Sequence, residues 1–306
     1  MTNFNCKTSI FRNYIKWFVF GLLIILFISC KYNLSPYADM TLKTLLAPYD
    51  VRQFTPVDVV ILSGQSNMAS NGITGEAEQY LSAEEYNQIN NGIDSITIFS
   101  RNDCIPINGG YLPFSKISFD YNIYKNCFGP EIGFALECKK ADRGLVIIKY
   151  TISGMDINCF LADNDVSQIM KTYIMNCLSI LVCQGYYPNI QAFCWMQGEA
   201  DCSNNASAYY AKEKRLIKYI RQAFNEKLIF IDARITDWKL VDPDCQQDIV
   251  NEAKEKIAQE DERCFLIDST GLTKKYFDRA HYDTPSTIEL GRRFARMFLN
   301  NTAAGK

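Results

Sequence analysis

The sequence predicts an α/β protein, a three-layer α/β/α sandwich around a mostly parallel sheet of five or six strands. Two observations carry that prediction. From residue 57 onward, short and nearly continuous apolar runs alternate with helical patterns. Strands that are apolar on both faces belong to parallel sheets covered by helices. Each chemically suggestive motif, moreover, falls just after such a run or just before the last helix. Ligands of parallel α/β sheets sit at the carboxyl ends of the strands.

Taken in order, Val57-Asp58-Val59-Val60-Ile61-Leu62 ends at Ser63-Gly64 and reads as a buried first strand. Ile96-Thr97-Ile98-Phe99 is a weaker second. Residues 101–130, long and rich in Gly and Asn, read as a surface loop beside the site. Pro130 to Lys140 begins with proline at a helix start and sets Ile132, Ala135 and Leu136 on one face. Leu145 to Tyr150 is a strong third strand. Val166 to Cys183 repeats apolar residues at three- and four-residue steps, as a helix does. Ala192-Phe193-Cys194-Trp195-Met196 is the fourth strand, and Ala206 to Phe224 a helix. Leu228 to Ile231 is the fifth strand, Cys245 to Ala258 a helix, and Cys264 to Ile267 a short sixth strand. Thr284-Pro285 opens the last helix, which carries Ile288, Leu290, Phe294, Ala295 and Phe298.

Composition narrows the function classes. Of 306 residues, 48% are hydrophobic and 22% charged, which excludes a mainly disordered chain and a polytopic membrane protein. The net charge of -2 offers no basic excess to neutralise a phosphate backbone, so nucleic acid is not expected as a partner. The chain has one histidine. A mechanism that needs an imidazole must use His281, and a multi-histidine metal site is impossible.

Residues 1–30 stand apart. They contain Lys7, Arg12 and Lys16 and no acidic residue, and Trp17 to Ile28 is apolar apart from Gly21. A basic flank before a short apolar core reads as a signal peptide or membrane anchor. The run is short for about 30 Å of hydrocarbon, which favours a cleaved signal; an anchor stays open. Phe27-Ile28-Ser29-Cys30 resembles the lipobox of bacterial lipoproteins, which would place a lipid on Cys30. The protein is therefore expected to be exported: secreted, surface-held or periplasmic, with membrane contact through this segment or a Cys30 lipid. Residues 31–55 lack periodicity and read as a linker or N-terminal wrap, ahead of one domain over 56–300. Of the 12 cysteines, ten lie beyond Cys30 with no C-x-x-C pair, which speaks against a zinc site. Their connectivity is not legible; Cys194 and Cys202 bracket a motif, so a bridge there would matter, and free buried thiols are the alternative.

Three motifs converge. Gly64-Gln65-Ser66-Asn67-Met68 follows the first strand, where a tight turn presents a hydroxyl at the open end of the sheet and a helix start offers N–H groups to negative charge. Met68 departs from the G-x-S-x-G elbow. As a plain alternative, such a serine is a helix cap. Asp278-Arg279-Ala280-His281 precedes the last helix; Ser-His-Asp chemistry needs an imidazole to take the serine proton and a carboxylate to fix its tautomer. A surface histidine is the alternative. Trp195-Met196-Gln197-Gly198-Glu199-Ala200-Asp201 follows the fourth strand. Gln197 could donate to a developing oxyanion. Asn67, Glu199 and Asp201 could orient the loops or bind sugar hydroxyls, or simply form a polar loop.

Together these blocks resemble the SGNH hydrolase superfamily, whose fold is flavodoxin-like. More narrowly they resemble its sialate O-acetylesterase-like carbohydrate esterases, which include acetylxylan esterases; the likeness covers roughly 57–299. The resemblance implies Ser66 as nucleophile, His281 as general base and then acid, and Asp278 as its orienter. It implies an oxyanion hole of Ser66, Gly154 and Gln197, with Gly154 taken from Ile152-Ser153-Gly154-Met155-Asp156, where relatives usually carry two glycines. It implies an acetylated carbohydrate as substrate, such as a sialic acid or xylan ester, and no metal or organic cofactor. Gly129-Pro130-Glu131 matches a further structural element of the family. An SGNH esterase of lipid or other acyl esters, and a non-catalytic glycan-binding surface protein, remain alternative readings.

Overall fold

A computed structural model describes residues 40–102, 114–121, 126–236 and 238–302. The leader over 1–30 with Cys30, residues 31–39 and Cys104 lie outside the described residues.

The described chain opens with a short helix, α1 (Leu42–Leu46), and a 3-10 turn at Val51–Gln53. Strand β1 (Thr55–Gly64) follows, buried from Asp58 to its end. After β2 (Gly72–Ile73) and helix α2 (Ala83–Asn91) come β3 (Ile93–Asn102), β4 (Ser115–Ile117) and β5 (Cys127–Phe128). The regular alternation then begins with α3 (Glu131–Lys140), β6 (Leu145–Thr151), α4 (Asp165–Cys183) and β7 (Tyr186–Met196). It closes with α5 (Tyr209–Ala223), β8 (Ile229–Ala233), α6 (Gln247–Glu260), β9 (Cys264–Ile267) and α7 (Thr284–Asn301).

The main sheet has seven strands in the order β4-β3-β6-β1-β7-β8-β9, one more than the upper expectation. All pairings are parallel except β3 with β4. The extra strand comes from the stretch expected as a loop. It is three residues long and buries only Ile117, so it leaves no apolar run to detect. A second, two-stranded sheet pairs β2 with β5. Helix α2 also escapes the apolar pattern, since Ile89 is its one buried residue. Its start is marked by a capping box: Ser82 Oγ accepts from Glu85 N (3.2 Å) and Glu85 Oε2 accepts from Ser82 N (3.0 Å).

Helices α3 and α7 pack together on one face of the sheet, and α4, α5 and α6 cover the other. Among the described residues α4 is the one helix long and apolar enough to cross a membrane, but it is packed on β6 and β7. The core joins the layers through Val59 to Leu62, Ile147, Ile148, Phe193 and Trp195, all buried. Phe193 stacks on Phe230 at 5.6 Å, and Phe160 meets Trp195 edge-on at 4.9 Å. Asp58, the polar break in the first apolar run, accepts from Arg143 Nε (3.0 Å), Asn189 and Gln191, so its buried charge is compensated.

The sheet register sets up the site. Gly64 lies opposite Thr151 of β6 and Met196 of β7, so three neighbouring strands end level. Their following loops emerge side by side at the carboxyl edge.

Candidate active site

The first loop turns abruptly. Gly64 has φ +144, and a Cβ there would meet Met196 O at 2.0 Å, so the backbone can pass this close to β7 only without a side chain. Gln65 N then donates to Met196 O (3.0 Å), and Ile152 N donates to Gly64 O (3.1 Å). Ser66 opens a 3-10 turn over Ser66–Met68 and is 8% exposed. The turn is braced from below. Lys149 Nζ donates to Ala69 O and to Glu131 Oε2, each at 2.6 Å, while Glu131 Oε1 accepts from Gly129 N (2.6 Å). Burial draws the Lys149 ammonium below its ordinary value, against the opposing charge of Glu131. This strut is a functional support that the sequence reading missed. Its signal was a lysine inside an otherwise apolar strand, with a glutamate at the start of the preceding helix.

The His281 loop is closed at its base by Lys275 N donating to His281 O (2.8 Å). Within it, Asp278 Oδ1 accepts from the N–H groups of Ala280 and His281, both at 2.9 Å, and Asp278 Oδ2 lies 2.9 Å from His281 Nδ1. Partial burial works to raise the Asp278 carboxyl. The N–H and ring of His281 and the N–H of Ala280 outweigh it, and the carboxyl sits below its usual range. A carboxylate held ionised against Nδ1 leaves Nε2 as the basic nitrogen.

Asn67 joins the two loops. Its Nδ2 donates to Glu199 Oε1 (2.7 Å) and Ala280 O (3.4 Å), and its Oδ1 accepts from Tyr282 N (3.0 Å). One amide thus grips the peptide groups on both sides of His281 and the third loop as well. Among the described residues no hydrogen bond joins Ser66 Oγ to His281. Such contacts commonly tighten only when substrate is bound.

In the third loop, Gln65 Oε1 accepts from Gly198 N (3.4 Å) and Ala200 N (3.3 Å). Gln197 departs from expectation. Its two amide hydrogens go to Asp201 Oδ2 (2.6 Å) and Met155 O (3.2 Å), and the side chain is fully buried. An amide has two N–H donors, and in this structure both are engaged within the protein, which gives Gln197 a positioning role here. Tyr209 OH and Lys254 Nζ hold its oxygens from behind. Asp201 Oδ2 also accepts from Ile157 N (2.9 Å); burial raises its carboxyl, with the bonds from Gln197 and Ile157 opposing. Asn67, Glu199 and Asp201 are all buried, which suits loop orientation and not contact with sugar hydroxyls.

Gln197 and Asp201 therefore pin Met155 and Ile157, the residues just beyond Gly154. Gly154 is exposed, with φ +73, a conformation natural to glycine. Among the described residues the N–H groups of Ser66 and Gly154 have no hydrogen-bond acceptor. Two unspent backbone donors on adjacent loops are the makings of an oxyanion hole.

Two cysteines bound this region. Cys202 and Cys245 form a disulfide with Cα atoms 4.9 Å apart, while Cys194 is a buried thiol. Among the described residues no group of three or more His, Cys, Asp or Glu is placed to hold a metal ion.

Comparison with known proteins agrees with this architecture. A family model described as carbohydrate esterase, sialic acid-specific acetylesterase, matches residues 56–300. A solved structure from Arabidopsis thaliana is similar with a TM-score of 0.61 at 21% identity, over 81% of this chain and 100% of its own. NanS is similar with a TM-score of 0.60 at 11% identity, over 81% of this chain and 98% of its own. A carbohydrate acetylesterase from Xanthomonas citri gives 0.55 at 14% identity, over 78% of this chain and 55% of its own. At these identities the superpositions establish the fold. No curated protein matches the sequence.

Proposed function

The chain belongs to the carbohydrate esterase family of sialic acid-specific acetylesterases, and from that membership we propose that it deacetylates carbohydrates through Ser66, His281 and Asp278. Membership makes it a carboxylic ester hydrolase of the carbohydrate acetylesterase class. The residue roles rest above all on the Asn67 clamp. The chain's one imidazole, already bonded to Asp278, is carried by a loop that the residue next to Ser66 holds on both sides.

In this reading His281 Nε2 takes the Ser66 proton as Oγ bonds to the acetyl carbon and the carbonyl electrons move onto oxygen. Asp278 keeps Nδ1 protonated and stabilises the imidazolium. The N–H groups of Ser66 and Gly154 receive the oxyanion, each such donor lowering the barrier by about 3 kcal/mol. Collapse breaks the bond to the sugar oxygen, which leaves with the proton from His281. Water then gives a proton to His281, adds to the acetyl carbon, and acetate departs as the proton returns to Ser66. Gln197 and Asp201 hold the Gly154 loop in place and take no part in proton transfer.

An exported location belongs to the same proposal. The basic-then-apolar leader supports it, as does the Cys202–Cys245 disulfide, since such bonds persist in oxidising compartments.

The test is acetate release by the full chain beside its Ser66→Ala variant, on acetylated xylan, O-acetylated sialic acid and an aryl acetate. Loss of the nucleophile is expected to lower kcat by roughly 10⁴-fold or more. Equal turnover in the two proteins would overturn the assignment of Ser66.

A further inference from the structure

Tyr276 and Phe277 are 81% and 96% exposed, the two most exposed large apolar side chains among the described residues. Scattered exposed apolar residues are ordinary. These two are adjacent, touch edge-to-face with ring centroids 5.2 Å apart at 84°, and immediately precede Asp278. Folding buries almost none of their surface, so they add little to the core.

Their loop is fixed relative to the reacting groups. Lys275 N donates to His281 O (2.8 Å), Arg279 N to Lys275 O (2.9 Å), and Lys274 Nζ to Ala280 O (3.0 Å). The Asn67 clamp holds the far side of the same loop. We propose that Tyr276 and Phe277 form a platform on which a pyranose ring of the acetylated glycan stacks, beside Asp278 and His281. The inference rests on the carbohydrate esterase reading and adds the means of sugar recognition to it.

The chemistry of the rings favours this occupant. An aromatic face carries partial negative charge, and the C–H groups of a pyranose face carry partial positive charge. Aromatic side chains also give large contact area with few rotatable bonds to fix. The occupant must share its loop with the general base. That selects the substrate itself over a protein partner, which would cap the site.

The test uses the full chain, Tyr276→Ala, Phe277→Ala, the double variant, and Phe277→Trp. Tyr49→Ala is the control, an exposed tyrosine ahead of β1 and so at the opposite end of that strand. The readout is kcat/KM on acetylated xylan and on O-acetylated sialyllactose, each divided by kcat/KM on p-nitrophenyl acetate. For one of the two glycans the ratio is expected to fall at least about tenfold in the double variant, as befits loss of a stacked ring contact. Phe277→Trp should keep it, and Tyr49→Ala should leave it unchanged. An unchanged ratio in the double variant, with glycan turnover intact, overturns the platform and leaves the esterase reading standing. If the wild-type chain turns over no ester, binding of unacetylated xylohexaose and sialyllactose decides. Binding lost in the double variant supports the platform while the esterase reading fails; binding unchanged, or absent in wild type, overturns the platform.

Discussion

Asn67 spends a single side-chain amide on three partners in two loops, Glu199, Ala280 and Tyr282. Its removal would leave Glu199 Oε1 buried without its donor and free the His281 loop from the Ser66 turn. Misplacement of a catalytic group by about 1 Å can lower a rate by roughly 10²-fold. Asn67→Ala is therefore expected to lower kcat/KM on an aryl acetate by about that factor, with a stability loss of about 1–3 kcal/mol from the unpaired buried groups. Kinetics and thermal melts of the purified variant check both; a rate within threefold of wild type would remove Asn67 from the positioning role. The sequence showed which residue types stood where. The positions of Ser66 at a strand end and of Asp278 three residues before His281 are legible because they are local facts, whereas the roles proposed for them came with the family resemblance. The direction of the Gln197 amide is not local. It depends on Met155 O and Asp201 arriving from either side, which only the assembled loops determine.

At the scale of elements, the six expected strands all form, because each is an apolar run that only a two-sided sheet can bury. Strand β4 and helix α2 were not legible from apolar pattern, since each buries one side chain. Harder still to read was the polar cluster that ties α5, β8 and α6 together. Lys254 Nζ donates to Asp232 Oδ1 (2.7 Å), Ala233 O (2.9 Å) and Gln197 O (2.7 Å), and Glu213 is buried beside Asp232. Each of the three is an ordinary polar residue in its own segment. Burial, reinforced by the charge of Asp232, pushes the Glu213 carboxyl well above its usual range, so the fold favours its protonated form. An unfolded glutamate loses that proton near pH 4.3. The stability this contributes is fully present below about pH 4.3 and declines as pH rises toward the folded value, by at most about 1.4 kcal/mol per pH unit. Glu213→Gln removes that titration while keeping an uncharged hydrogen-bonding group beside Asp232. Asp232 is also raised, chiefly by burial, and acts with the same sign. Melting temperatures of the variant between pH 4 and 8 should thus fall less steeply than wild type, without becoming flat. Parallel curves would show that Glu213 is already ionised in the fold.

Over the whole molecule, the site exists because β1, β6 and β7 end level, so that residues from four distant stretches of sequence meet at one edge. The place of each motif, just after an apolar strand or before the last helix, made that convergence legible in advance. The link that secures it did not, because ten irregularly spaced cysteines beyond Cys30 allow many pairings. The Cys202–Cys245 bond, with a sequence separation of 43, fastens the end of the Gln197–Asp201 loop to the approach of α6. Gln246 N donates to Cys202 O (2.7 Å), so the backbone also joins the two segments here. A cross-link of this kind acts on the unfolded chain, whose freedom it restricts. For a loop of this length the chain-entropy estimate is about 4 kcal/mol, an upper figure because unfolded chains keep some structure. In a domain of this size that corresponds to roughly 8–16 °C in Tm. Cys202→Ala/Cys245→Ala is therefore expected to melt lower by up to that amount while keeping most of its kcat at 25 °C, since the folded geometry retains the Gln246–Cys202 backbone bond. Reduction of the wild-type chain by a thiol should reproduce the shift, and the double variant should be indifferent to the same thiol. A Tm that neither treatment moves would mean that the native contacts around Cys202 hold the third loop without help from the covalent link.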